Sequence, residues 1–157
     1  MTVSVQALAA ELTREVAETL IAVASATPEE RLNWQPLDNG RTILDQLVEC
    51  TLANRKWTNI LRSRRYADLG RAAAEQVYAE LDTLSKVVPR LRETAADLAA
   101  AIEAVPDAVL AQTVETPWGP YTLARSCTHA YWNMVYHEGQ INYIQTLYGD
   151  FDEHDPE

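Results

Sequence analysis

Apolar residues recur at threes and fours through most of this chain, and that spacing restricts the fold more than any other feature. Val5, Leu8, Leu12, Val16, Leu20 and Val23 follow it in a first segment, roughly Val3 to Ala24. Ile43, Leu44, Leu47, Val48, Leu52, Trp57, Ile60 and Leu61 follow it in a second, from about Thr42 to Arg65. A helix turning once in about 3.6 residues places such positions on one face. A third segment lies within Tyr78–Val105, where Pro89 is expected to bend or restart the helix. Beyond it, Leu91, Ala95, Leu98, Ala99, Ile102 and Val105 make a small-residue face suited to close packing. The fourth runs from about Thr122 to Tyr148, with Gly149 as its stop. Each helix must bury its stripe against another, so the expected fold is all-α, a four-helix bundle.

The connections carry their own signals. Thr27-Pro-Glu-Glu has the form of a short helical turn with a Thr cap and acids near its positive end. Leu32 to Gly40 is a loop broken by Pro36 and Asn39-Gly40, with Trp34 and Leu37 as its expected anchors on the bundle. Thr42, with Asp45 three residues on, caps the second helix. Tyr66 to Gln76 reads as a polar connection with short helical pieces. Thr113 to Tyr121 contains two prolines and Trp118-Gly119, which predicts a turn or short hairpin. The longer links after the second and third helices permit an order other than simple up-down-up-down.

A length of 157 residues with 47% apolar content suits one domain with a real core. The expected division is a single bundle over 1–149 and an acidic tail over 150–157. A formal net charge of −10 argues against nucleic-acid binding, which needs surplus Lys and Arg. No secretory signal or membrane-length apolar run is visible, and Cys50 and Cys127 are too few for a disulfide framework. A cytoplasmic protein with reduced thiols is the simplest expectation.

The fourth segment carries a polar line where a helix of a bundle usually carries core. Ser126, His129, Asn133, His137 and Gln140 follow one side, flanked by Tyr131, Trp132, Tyr136 and Tyr143. Residues four apart rise one above another with a drift of about 40° per step. Such groups are costly to bury without partners. On the second helix, Glu49 lies beside the apolar face, one turn after Asp45. A carboxylate opposite His137 can share a divalent metal with a neutral imidazole, or can simply hydrogen-bond to it and set the bundle's register. The residues leave both readings open.

His137-Glu-Gly-Gln-Ile-Asn-Tyr resembles the His-x-Gly-Gln-Ile signature near the last helix of the DinB/YfiT-like superfamily. Leu32-Asn-Trp-Gln-Pro and Gly40-Arg-Thr-Ile-Leu-Asp-Gln-Leu-Val-Glu49 resemble that family's loop and second helix. The resemblance spans about Val3 to Gly149. It implies an up-down-down-up four-helix bundle, often a homodimer. It also implies a divalent metal, commonly nickel or zinc, held by one histidine on the second helix and two, four residues apart, on the last. Some members use a low-molecular-weight thiol in isomerase or transferase reactions.

This chain departs from that ligand set. Glu49 falls at the first histidine position, Asn133 at the second, and His137 matches the third. Oxygen donors make a harder, weaker site and widen the metals to include manganese. The resemblance therefore points to a metal site of Glu49, Asn133 and His137, serving thiol transfer or hydrolysis, with Tyr136 or His129 near the substrate. His129 lies one turn away and reads more simply as a core-edge histidine. The alternative is a metal-free dimeric bundle, either structural or holding a small molecule between the second and fourth helices, with Trp34, Trp118 and Tyr136 at the mouth.

Overall fold

A computed structural model of the chain describes residues 4–154 and 156. Four long helices and one short one make up most of it. They are α1 (Val5–Ser25), α2 (Ile43–Ser63), α3 (Arg71–Glu80), α4 (Leu84–Glu103) and α5 (Leu123–Leu147). A two-stranded hairpin, β1 (Thr113–Thr116) and β2 (Gly119–Thr122), precedes α5. The expected start of the first helix at Val3 lies outside the described residues.

Three starts are set by hydroxyl caps. Ser4, Thr42 and Thr122 each accept the backbone N–H three residues on, at 3.0, 3.0 and 3.2 Å. Each satisfies one of the N–H groups that a helix start leaves unpaired. At the other end of α5, Gly149 takes the left-handed conformation (φ 94°) that stops the helix.

Contacts along the helices give the topology. The start of α1 meets the end of α4: Gln6 Nε2 donates to the Val105 carbonyl at 2.8 Å, and Arg14 pairs with Glu103 at 2.8 Å. Those two helices are antiparallel. The end of α1 meets the end of α5, where Gln145 Nε2 donates to the Val23 carbonyl at 2.8 Å, so these two are parallel. Near their C-terminal ends, α2 and α4 are joined by Arg62 and Asp97, again parallel. The order is up-down-down-up. α1 packs on α4 and α5, and α2 packs on the same two, so α1 and α2 lie on opposite corners.

The core has two lobes. Leu20, Leu47, Leu91, Met134 and Ile141 fill one end. Trp57, Ile60, Leu98, Ile102 and Leu123 fill the other.

Three expectations need correction. Val5 and Leu8 do not face the core but are about half exposed, at 52% and 49%. Gln6, Ala9, Ala10 and Thr13 take the buried face there, with Ala9 and Ala10 packed in one cluster with Leu98, Ala99 and Ile102 of α4. The third segment does not break at Pro89. It breaks earlier, between α3 and α4, where Thr83 is extended and its carbonyl accepts the N–H of Val87 at 3.0 Å. Pro89 then sits near the start of α4, where it forfeits a single backbone bond. Leu37 anchors nothing: it is 92% exposed, in the left-handed region at φ 56°. Trp34 holds that loop, edge-on to Tyr148 and under the Arg31 guanidinium, together with Leu32, which is buried in the core and accepts the Leu44 N–H at 3.2 Å. The hairpin falls where it was expected, with Pro117-Trp118 as its turn.

Candidate functional site between α2 and α5

Because α2 and α5 run antiparallel, the first half of α2 faces the second half of α5. Asn54 lies against Met134, and Trp57 against His129. One to two turns nearer the start of α2, Gln46 and Glu49 lie three residues apart and so share a face. That face meets His137.

His137 is 1% exposed. Its Nδ1 lies 3.1 Å from Gln46 Oε1, itself on a residue buried to the same degree. An amide oxygen at that distance suits an Nδ1–H donor, the tautomer that leaves a lone pair on Nε2. Nε2 is buried, has no hydrogen-bond partner, and faces Glu49 Oε1 at 3.5 Å. Burial pushes the imidazole pKa down to about 4; the Gln140 side chain opposes this and the Arg41 guanidinium adds to it. The ring is therefore neutral near pH 7.

Two further acceptors on α5 are in the same condition. Asn133 Oδ1 and Gln140 Oε1 are buried without hydrogen-bond partners, one turn to either side of His137. The amide nitrogen of Gln140 is engaged elsewhere, donating to the Tyr136 hydroxyl at 3.0 Å. Glu49 holds an ion pair through its other oxygen with Arg41, whose side chain is 58% exposed.

The expected residues separate. Glu49 and His137 come together, and Asn133 stands one turn along from His137 with an unpaired oxygen. His129 does not join them. It packs tilted against Trp57 with ring centroids 4.2 Å apart, and Tyr121 and Trp132 complete an aromatic cluster around it. Ser126 turns back on its own helix to the Thr122 carbonyl. Trp118 packs against Tyr66 and Lys56 on the hairpin, and neither it nor Trp34 lines the cavity beside His137. Burial raises the pKa of both thiols, that of Cys127 to about 11, so neither cysteine is a nucleophile near neutral pH.

Gln46 and Arg41 were not among the expected site residues. The signal for Gln46 was present: it lies three residues before Glu49, on the same helical face. Arg41 precedes the cap and has no periodic position, so only the folded loop brings it to Glu49.

The sequence pattern of the DinB superfamily matches residues 11–141. The chain belongs to the DinB superfamily. No curated protein compared with the chain matches it.

The residues can be tested against the metal that DinB bundles often hold. Among the described residues, no three His, Cys, Asp or Glu side chains form a cluster suited to an ion. The donors that are present still have the right character. Metal-bound imidazoles usually donate their second nitrogen to an oxygen, as Nδ1 does to Gln46. A lone pair aimed at a carboxylate has no favourable partner unless a cation lies between them. Two ligands of one ion with bonds of about 2.0–2.2 Å sit roughly 3–3.5 Å apart. The 3.5 Å between Nε2 and Oε1 falls at the upper end of that span and outside good hydrogen-bond range. The set fits a weak, mixed nitrogen and oxygen site, and it fits thiophilic metals poorly.

Proposed function

We propose that this DinB bundle binds a divalent cation between α2 and α5, with Glu49, Asn133 and His137 as its protein donors. The observation that carries this reading is the buried, unpartnered Nε2 of His137 aimed at the Glu49 carboxylate. An ion bound there would supply Lewis acidity, lowering the pKa of a coordinated thiol or water and so serving thiol transfer or hydrolysis. Gln46 fixes the ring's orientation and tautomer. Asn133 offers a neutral oxygen, which keeps the charge of the site low and the affinity modest. Tyr136, half-exposed and held by Gln140, borders the approach from solvent.

The test is metal analysis of protein purified without chelator, followed by calorimetric titration with manganese, nickel and zinc. Uptake of one equivalent, lost in Glu49→Ala and in His137→Ala, is expected. No uptake of any of the three, with no thermal shift, refutes the reading.

One observation favours a second reading. Arg41 already neutralises Glu49 from within the chain, which suits a metal-free bundle that holds a small molecule in the same cleft. Ligand affinity that survives chelation and Glu49→Gln would favour it over the first.

A further inference from the structure

A cleft of about 470 Å³ opens beside His137 and has no part in the donor set. Arg41, Gln46, Tyr136, Gly139, Gln140 and Tyr143 form most of its wall. We propose that it binds a small planar carboxylate, an aromatic or unsaturated acid. The acid's charge meets Arg41, and its flat face lies along Gly139 between Tyr136 and Tyr143. The proposal rests on this cleft being the functional site, and does not depend on a metal.

Three observations lead to this class of ligand. The first is charge. In a chain of net charge −10, the one charged residue in this wall is a cation. Arg41 engages Glu49 through Nη1. A guanidinium carries five N–H donors in a rigid fork, so one carboxylate leaves donors for another. At 58% exposure the side chain reaches solvent without leaving Glu49.

The second is a glycine that the fold does not explain. Gly139 lies inside α5, where glycine costs about 1 kcal/mol relative to alanine. Its φ is not in the positive range, and a Cβ added to it would meet no atom within 4 Å. Neither strain nor packing calls for it, and it leaves bare backbone in the cleft wall that Tyr136 and Tyr143 also line. The third is the rings themselves, 51% and 66% exposed in that wall. Exposed tyrosines flanking bare backbone suit a flat apolar group. Gln140, whose side-chain oxygen is unpaired, belongs to the same wall, so a bound acid would lie about one helical turn from His137.

The test uses the full chain, stripped with EDTA, in calorimetric and amide-NMR titrations with benzoate. Benzamide serves as the neutral analogue, and fumarate as a non-aromatic acid. Benzoate or fumarate should bind, with shifts centred on Arg41, Gly139 and Tyr143. Benzamide should bind at least about tenfold more weakly, since it lacks the charge-assisted bonds. Arg41→Gln should weaken the acid by about tenfold or more for the same reason. Gly139→Leu should abolish binding by filling the cleft, while its helix content stays unchanged.

Equal affinity for benzoate and benzamide would overturn the proposal. So would acid binding that survives both substitutions, or no binding of either acid up to about 20 mM, where fragments of this size register. If Gly139→Leu alters the oligomeric state without altering acid affinity, the cleft is a protein interface and the proposal fails. A parallel titration with manganese, nickel and zinc separates the two readings. Metal uptake without acid binding removes this proposal alone, and acid binding without metal uptake removes the cation site alone.

Discussion

Acid should destabilise the metal-free protein through His137, by an amount that the burial of its ring sets. The imidazole is 1% exposed, and its pKa is pushed down to about 4. In the unfolded chain it titrates at its ordinary value, near 6.5. Between those limits the unfolded state binds a proton that the folded state refuses, so stability rises with pH. The contribution is complete above about pH 6.5 and is lost as the pH falls toward 4. Linkage gives a loss of about 1–2 kcal/mol at pH 5.5 and about 2–3 kcal/mol at pH 4.5. Other groups also titrate in this range, so the measurement is a difference. Urea unfolding would be followed from pH 7.5 to 4.5 in EDTA, for the wild type and for His137→Gln. The two profiles should converge toward acid by about those amounts, because the variant has no imidazole to protonate. An NMR titration of the ring in the wild type gives the same quantity directly. Parallel profiles, or a ring that titrates near 6.5, would refute the argument that burial keeps His137 neutral.

Gly139→Ala should stabilise the fold by about 0.5–1 kcal/mol, since the new methyl meets nothing and helix propensity improves; a lower melting temperature would contradict this. Thr42→Ala should cost about 1 kcal/mol in urea unfolding through loss of the cap on the Asp45 N–H. Leu98→Ala, at a side chain 1% exposed in the second core lobe, should cost about 2–5 kcal/mol. Arg41→Gln should destabilise the metal-free fold in urea unfolding, because it leaves the Glu49 carboxylate, 31% exposed and with Oε2 buried, without its cation. The same substitution should tighten cation uptake by freeing Glu49, as read by manganese titration.

Much of the fold was legible because helical periodicity and capping are local. The hydroxyl starts at Thr42 and Thr122 and the stop at Gly149 each depend on a few neighbouring residues. The break between α3 and α4 was misplaced because a proline is a conspicuous breaker, whereas an extended Thr83 is decided by packing on either side. Val5 and Leu8 fit the apolar rhythm and yet face solvent. Rhythm marks a face, but packing against the neighbouring helices decides which side of it is covered. Membership of the DinB superfamily was also readable, since its motifs are runs of adjacent residues. Among the described residues no helix is long and apolar enough to cross a membrane, in keeping with the interrupted apolar runs.

The site divides along the same line. The sequence alone determined that Asn133, His137 and Gln140 share one side of α5, because helical geometry follows from spacing. It also placed Glu49 on the helix opposite. Only the tertiary structure decided what these groups face. It turned Nδ1 of His137 to Gln46, left Nε2 unpaired against Glu49, brought Arg41 out of a loop onto that carboxylate, and sent His129 into an aromatic cluster. Those outcomes depend on the antiparallel register of α2 against α5 and on the path of the 26–42 connection. Both are set by the burial of the whole core, so no short run of residues encodes them.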